Sequence, residues 1–349
     1  MAGNSNLRRA SKVKNDEFYT QIIDIEKEIK HYKEQFENKV VFCNCDDPYE
    51  SNFFKYFAMN FNHLKLKKLI ATCYDSSPIA YTQLNFLGEE KTIPNKNRKA
   101  YKIEITEVKD FNNDGATDLT DVKTLLLNEK NALTMLKGDG DFRSEECVKL
   151  LKECDIVCTN PPFSLFREYV AQLIEHDKKF LIIGNKNAVT YKEIFSLFSK
   201  NRAWLGYRNI NEDMWLIVPK EKACEKIVDG KRLKHIMACW FTNLPTTKRN
   251  EELILYKNYT PEEYPNYDNY NAINVDKVTD IPCDYYGYMG VPITFLDKYN
   301  PEQFELLGIM NTGEVNVGIR YENTAHGRPL VNGVEKYLRL IIRRKGNEN

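Results

Sequence analysis

The residues best able to do chemistry in this chain are Asn160, Pro161, Pro162 and Phe163, which directly follow the short run Asp155-Ile-Val-Cys-Thr159. Each proline ring locks its own φ, so two in succession stiffen a turn and fix the directions of its carbonyls. Pro161 has no N–H, so its backbone can only accept a hydrogen bond, and the Asn160 side chain carries a second carbonyl acceptor. Two acceptors converging on a planar –NH₂ hold both of its hydrogens. They draw the nitrogen lone pair out of ring conjugation and aim it at an electrophile. Phe163 is then placed to stack on the ring that bears the amine. Such a site works by in-line positioning and needs no strong general base. Taken alone, the same tetrapeptide is also a turn that ends a strand.

The elements that must position these residues follow from periodicity. Asp155–Thr159 reads as a buried strand and Leu165–His176 as an amphipathic helix, so the tetrapeptide sits where a strand hands over to a helix. Ligands of open α/β sheets bind outside the carboxyl ends of the strands. Upstream, helical spacing runs from Asp24 to Glu37, then Val40–Cys43 reads as a strand, Ser51–Phe61 as a helix and Lys68–Tyr74 as a second strand. Residues 76–135 break the alternation. They hold a charged hairpin (Lys91–Val108), a polar turn (Asp110–Asp121) and a helix (Val122–Leu127), and read as an insertion. The rhythm resumes with a helix over Cys147–Cys154, a strand at Phe180–Ile183 and a helix over Thr190–Phe198. Further strands are expected at Ala203–Gly206, Met214–Val218 and Met237–Thr242. Short apolar strands alternating with helices predict a parallel sheet covered on both faces. Beyond Pro245 the composition shifts: eight of the 21 tyrosines fall between Tyr256 and Tyr288, which marks a second functional region ending in the basic strand-like segment Leu338–Lys345.

Composition narrows the classes. Lys+Arg and Asp+Glu both number 50, so any phosphate-binding face must come from local charge. Candidates are Arg8, Arg9, Lys12 and Lys14 in the first residues, Lys91, Lys96, Arg98, Lys99 and Lys102, the tyrosine-rich region, and Arg339, Arg343, Arg344 and Lys345. The nine cysteines form no CxxC pair and lie in apolar segments, which predicts reduced, mostly buried thiols. No run approaches the ~20 apolar residues of a membrane span, the N-terminus lacks a signal-peptide core, and a cytoplasmic protein is expected. No GxxxxGK[ST] is present and no GxGxxG follows a strand, which disfavours nucleotide hydrolysis and dehydrogenation. Asp110, Asn112, Asp114, Gly115, Asp118 and Asp121 match the spacing of a calcium loop, but with Asp rather than Glu at the last position and Thr117 at a usually apolar one. The alternative is a polar turn capping the next helix. Catalysis of the kind described requires no metal.

The tetrapeptide resembles the Asn/Asp-Pro-Pro-aromatic motif of amino-methyltransferases. Wider stretches resemble EcoRI-type DNA adenine-N6 methyltransferases: Asp16–Thr20 (DEFYT), Val41–Phe57 (VFCNCDDPYESNFFKYF), Gly138–Ser144 (GDGDFRS), Thr159–Tyr169 (TNPPFSLFREY) and Tyr267–Glu305 with Met289–Thr294 (MGVPIT). Several motifs in the expected order are more specific than any one. The resemblance implies a Rossmann-like, seven-stranded sheet and S-adenosylmethionine as cofactor. It implies that Phe18 and Thr20 line the methionine end. Asn44 and Asp46 lie in the first strand's turn, where glycine is usual and here absent. Asp47 is read alternatively as a helix cap. Asp75 is placed to accept from the ribose hydroxyls, or simply opens a loop. Asp141 is placed to accept from the cofactor's adenine amine with Phe142 beside the ring, and Asp139 competes for that role.

The activity so implied is transfer of a methyl group from S-adenosylmethionine to N6 of a flipped-out adenine in double-stranded DNA. Asn160 and Pro161 orient the amine and Phe163 stacks. The organisation implied is a basic arm (1–15), a methyltransferase domain (16–245, insertion 76–135) and a target-recognition region (246–349). The chain is expected to act as a monomer on double-stranded DNA. A cognate restriction endonuclease would act on the same site without a stable complex. The competing readings keep the amine chemistry on RNA or on a protein glutamine, or make the chain a non-catalytic nucleic-acid binder on the same scaffold.

Overall fold

The computed structural model describes residues 19–45, 51–73, 100–111, 115, 117–128, 133–218, 223–310 and 327–346. The chain divides into two compact units: Met1–Lys186 with Glu212–Leu244, and Asn187–Asn211 with Pro245–Asn349. Along the chain run α1 (Ile22–Ile29), β1 (Val40–Cys43), α2 (Asn52–Met59), β2 (Lys68–Cys73), β3 (Tyr101–Ile105), α3 (Leu119–Asn128), β4 (Leu133–Met135), α4 (Glu145–Glu153) and β5 (Ile156–Thr159). They continue with α5 (Phe166–Glu175), β6 (Lys179–Asn185), α6 (Lys192–Ser199), β7 (Trp204–Leu205), β8 (Met214–Ile217), β9 (Lys226–Val228), β10 (Lys231–Ile236) and β11 (Ala238–Thr242). The second unit adds β12 (Ile273–Asn274), β13 (Tyr288–Pro292), β14 (Phe304–Met310), β15 (Leu330–Val331), β16 (Val334–Glu335) and β17 (Arg339–Arg344).

In the first unit the strands lie in the order β4-β3-β2-β1-β5-β6-β11. The four central strands β2, β1, β5 and β6 are parallel. Every residue of β1 and β5 is buried, as expected for strands covered on both faces. The flanks are antiparallel: β3 pairs with β2, β4 with β3, and β11 with β6. The sheet is therefore mixed, with a parallel centre. From β1 the chain moves outward to β2 on one side, while β5 pairs with the other side of β1. Strand order reverses between β1 and β5, which makes their carboxyl ends the topological switch point.

Local sequence explains the helices beside this sheet. Ser51 caps α2, its Oγ accepting from Phe53 N and Phe54 N at 3.1 and 3.4 Å, a favoured role for serine. Phe166, Tyr169, Val170 and Leu173 of α5 are buried at spacings of three and four, one apolar stripe turned inward. The periodicity expected over Asp24–Glu37 divides into α1 and a 3₁₀ segment, Lys30–Phe36. That tighter winding brings Phe36 to 5.3 Å from the ring of Phe57. Within 76–135, the part that is described supplies β3, α3 and β4, so it extends the sheet at its β2 edge. Lys102, one of the cations singled out for DNA, pairs there with Glu104 at 2.8 Å.

A small antiparallel sheet, β8-β10-β9, also belongs to the first unit. Its β9–β10 hairpin lies between the strands expected at Met214–Val218 and Met237–Thr242, where the sequence suggests none. In the second unit, β12-β13-β17-β14 form a sheet. Its core contains Tyr267 and Tyr270 packed with Ala272, Met310, Val331 and Ile341, so part of the tyrosine enrichment is structural. The basic segment expected at Leu338–Lys345 is β17, and its arginines have internal partners. Arg339 bonds Asp276 at 3.0 Å, Arg343 bonds Glu305 at 2.6 Å, and Arg344 donates to the Cys283 carbonyl and lies 5.0 Å from the Tyr286 ring. No helix among the described residues is long and apolar enough to cross a membrane. The cysteines whose side chains are described are free thiols, five of them buried, and burial pushes the Cys154 thiol up to about 12.

Candidate active site

The turn after β5 and the turn after β1 are tied together at the switch point. The hydroxyl of Thr159, the last residue of β5, donates to the backbone carbonyl of Asn44, the first residue beyond β1. Asn44 is fully buried, and its Oδ1 accepts from Thr72 Oγ1 of β2 at 3.1 Å. This hydrogen bond holds the amide in place, and Asn44 Nδ2 has no hydrogen-bond partner among the described residues. An unpaired buried donor costs about 1–3 kcal/mol, so this one fits a site completed by a bound acceptor.

The turn has no glycine, and Cys45 does the work that glycine usually does. Its φ is 67°, in the left-handed region, which costs an L-residue roughly 1–2 kcal/mol. Cys45→Gly is therefore expected to raise stability by up to about 1 kcal/mol, read as a higher midpoint in urea; a midpoint lower than that of the parent protein counts against this account.

Thr20 comes to the same edge by a different route. Tyr19 exchanges backbone hydrogen bonds with Ile217 of β8 at 2.9 and 2.8 Å. Asn52 Nδ2, at the start of α2, donates to the Thr20 carbonyl at 2.7 Å. Thr20 is buried, and its Oγ1 has no partner among the described residues. Asn52 is a positioning residue that sequence reasoning missed, because its only signal was a polar side chain after a helix cap.

Asn160 is half-buried, Pro161 buried, and Pro162 and Phe163 half-buried. The Pro162 carbonyl accepts from Leu165 N at 3.0 Å and opens the 3₁₀ segment Phe163–Leu165, which runs into α5. The segment is braced from beneath. A Cβ built on Gly184 of β6 would lie 2.5 Å from the Phe166 ring and 2.9 Å from Phe241, so only glycine lets α5 begin this close to the sheet.

Asp141 and Phe142 precede α4. The Asp141 carboxylate is gripped by Arg143, with Oδ1 accepting from Nε at 2.8 Å and Oδ2 from a terminal nitrogen at 2.6 Å. Arg143 also bonds Glu168 of α5 at 3.0 Å. Phe142 is buried and meets Tyr169 edge-on, with centroids 5.0 Å apart, so its ring is a core contact between this loop and α5. Asp139 is exposed and accepts from Asp141 N at 3.0 Å. Phe18, Asp46 and Asp75 lie outside the described residues. The sequence spacing gave no hint of the Arg143 lock.

The Gly138–Asp141 loop has a second brace in Glu146, whose Oε2 accepts from Gly138 N at 2.8 Å and Lys137 N at 2.9 Å. These backbone bonds hold the Glu146 carboxyl below its usual range. A group with a lowered folded pKa stabilises the protein above its unfolded pKa and loses that contribution as pH falls. The melting-temperature gap between the parent protein and Glu146→Gln should therefore close as pH drops below about 4. A gap that stays constant from neutral to acid pH would contradict the brace.

The calcium-like spacing is occupied by internal hydrogen bonds. Asp121 accepts from Phe111 N at 2.7 Å and Asp118 N at 2.9 Å, and Asp118 accepts from Thr120 N at 2.6 Å at the start of α3. Asn112 and Asp114 lie outside the described residues.

An α/β sheet with a stiff acceptor-bearing turn at its switch point, beside buried polar groups without partners among the described residues, fits a methyltransferase fold. The family model described as adenine-specific methyltransferase EcoRI matches residues 6–345. The chain is 45% identical to the Type II methyltransferase M.EcoRI of Escherichia coli, covering 99% of this chain and 98% of that one. It is 37% identical to the Type II methyltransferases M.MgeORF184P of Mycoplasma genitalium and M.MpnI of Mycoplasma pneumoniae, with at least 97% of each chain covered. No solved structure matches. The chain belongs to the EcoRI family of adenine-specific methyltransferases and is a Type II DNA methyltransferase.

Proposed function

We propose that the chain methylates N6 of an adenine flipped out of double-stranded DNA, with S-adenosylmethionine as donor. The observation that carries this reading is the Asn160–Phe163 turn at the carboxyl end of β5, tied through Thr159 to Asn44. The buried Asn44 Nδ2 and Thr20 Oγ1, both without partners among the described residues, fit a polar ligand at that edge. Asn44 and Thr20 would hold the cofactor there, together with Phe18, Asp46, Asp75 and Asp141 as the family pattern places them. When bound, S-adenosylmethionine supplies a methyl group on a sulfonium and leaves as a neutral thioether.

The remaining work falls to the chain. The Asn160 side-chain carbonyl and the Pro161 backbone carbonyl accept the two amine hydrogens and turn the nitrogen lone pair toward the donor. Pro162 keeps the turn rigid and Phe163 stacks on the base. The two flanking turns fix the in-line geometry, which is the main source of rate in a transfer that needs little acid–base help.

In this reading the catalytic domain spans 16–245 on a seven-stranded Rossmann-like plan, and 246–349 recognises the target. The enzyme works as a cytoplasmic monomer beside a restriction endonuclease of the same specificity. Incubation with labelled donor and separate DNA, RNA and protein fractions tests it. Label recovered as N6-methyladenine in DNA is the expected result, and label in RNA or protein alone would refute it.

A further inference from the structure

The β9–β10 hairpin uses none of the residues assigned above. Asp229 and Gly230 both have left-handed φ, 50° and 74°, as in the type I′ turn whose twist suits two antiparallel strands. All of β9 is exposed, and it is the outer strand of its sheet. Near the tip, Ile227 is 62% and Val228 45% exposed. Apolar side chains on an open edge strand are a liability that proteins usually avoid.

Charge surrounds them. Lys231 pairs with Val228 and Leu233 with Lys226, so Lys226 and Lys231 share one face of the ribbon. Arg232 and Lys234 share the other, because alternate residues point oppositely. Lys226 rests on the Trp215 ring at 3.4 Å. Lys231 and Lys234 form no ion pair among the described residues.

Cations on both faces of a narrow ribbon suit a partner with negative charge on two walls. A flat acidic protein surface or a membrane would be met by one face only. The major groove of B-DNA, about 12 Å wide and 8.5 Å deep, admits a two-stranded ribbon. The hairpin also stands where a duplex must come. β10 runs through Met237 into β11, whose first residue, Ala238, pairs with Asn185 at the end of β6. The ribbon is thus carried at the carboxyl edge of the parallel strands, the edge that holds Asn160–Phe163. Its neighbour β8 is bonded to Tyr19, next to Thr20.

We infer that the β9–β10 hairpin enters the major groove of the target duplex and steadies it against the catalytic turn. Lys231 and Lys234 reach opposite phosphate walls, and the outer strand lies toward the base edges with Val228 on the Lys231 face and Ile227 on the Lys234 face. The assignment rests on the DNA-methylating reading. It adds a DNA contact outside the C-terminal region.

The test uses the full chain and genomic DNA from a host lacking adenine methylation, with KM for DNA measured across a salt series. Each lost phosphate contact lowers the log–log salt slope by about 0.9, so Lys231→Ala with Lys234→Ala should lower it by about 1.8. The KM for DNA should rise on the order of 10- to 100-fold near 0.1 M salt. Cofactor affinity by calorimetry should not change, which shows that the variant is folded. Lys231→Arg with Lys234→Arg should keep the parent slope. Ile227→Ser with Val228→Ser should raise KM and leave the slope alone. A parent-like slope in the double alanine variant overturns the hairpin assignment, whereas a parent protein that leaves this DNA unmethylated overturns the function itself.

Discussion

Asn160→Ala should lower kcat on adenine-unmethylated DNA on the order of 100- to 1,000-fold, the range seen when one preorganised polar group is removed from a transition state. Cofactor affinity should stay within about twofold, because a group that works mainly on the transition state contributes little to ground-state binding. The separation follows from the architecture. Thr159 ties the base of the Asn160–Phe163 turn to Asn44, so truncating the neighbouring side chain removes an acceptor without releasing the turn. Pro161 and Pro162 still fix the backbone, and the Pro161 carbonyl still holds one amine hydrogen. The second hydrogen is left free and the lone pair returns toward ring conjugation. Asn160→Asp keeps an oxygen acceptor in place and should retain part of the activity. Single-turnover methyl transfer with calorimetry of the donor measures both quantities. Undiminished turnover in the alanine variant would remove the amine-holding role, and a parallel collapse of donor affinity would make Asn160 a structural residue.

Trp240→Ala should cost about 3–5 kcal/mol of stability, the usual range for deleting a large buried aromatic. Trp240 lies on β11, is 2% exposed, and meets Phe53 of α2 edge-on at 5.8 Å. It thereby links the antiparallel strand β11 to the helix that follows β1. Its indole N–H has no hydrogen-bond partner among the described residues. Phenylalanine would keep an aromatic ring and remove that unpaired donor, so Trp240→Phe should cost less than about 1.5 kcal/mol. Urea unfolding separates the two variants. Equal losses would mean that the indole edge, not the buried ring volume, carries the contact. Stabilities of whole domains are about 5–15 kcal/mol, so the alanine variant should also lose soluble yield at growth temperature.

Much of the scaffold was legible because its signals are local. Val40–Cys43 and Asp155–Thr159 are short apolar runs next to helix-period segments, and both became buried parallel strands. The stripe of α5 could be read from spacing alone. The β9–β10 hairpin carries little strand signal in the sequence, because β9 is three exposed residues and β10 is rich in cations, with no apolar alternation. Its one local signal was the Asp229-Gly230 dipeptide. The basic segment near the C-terminus forms a strand as its pattern suggests, yet its arginines bond Asp276, Glu305 and the Cys283 carbonyl. A charge run says nothing about which carboxylates the fold will bring to it.

Residue order alone determined the chemistry available to this protein: two adjacent carbonyl acceptors, stiffened by prolines, at the end of a short apolar run. Those properties belong to neighbouring residues and survive any choice of tertiary arrangement. The tertiary structure alone decided that the Asn44 and Asn160 turns share one edge, that Cys45 adopts a left-handed backbone in place of glycine, and that Arg143 joins Asp141 to α5. Each of these depends on strand order and on contacts between residues distant in sequence, which no local pattern encodes.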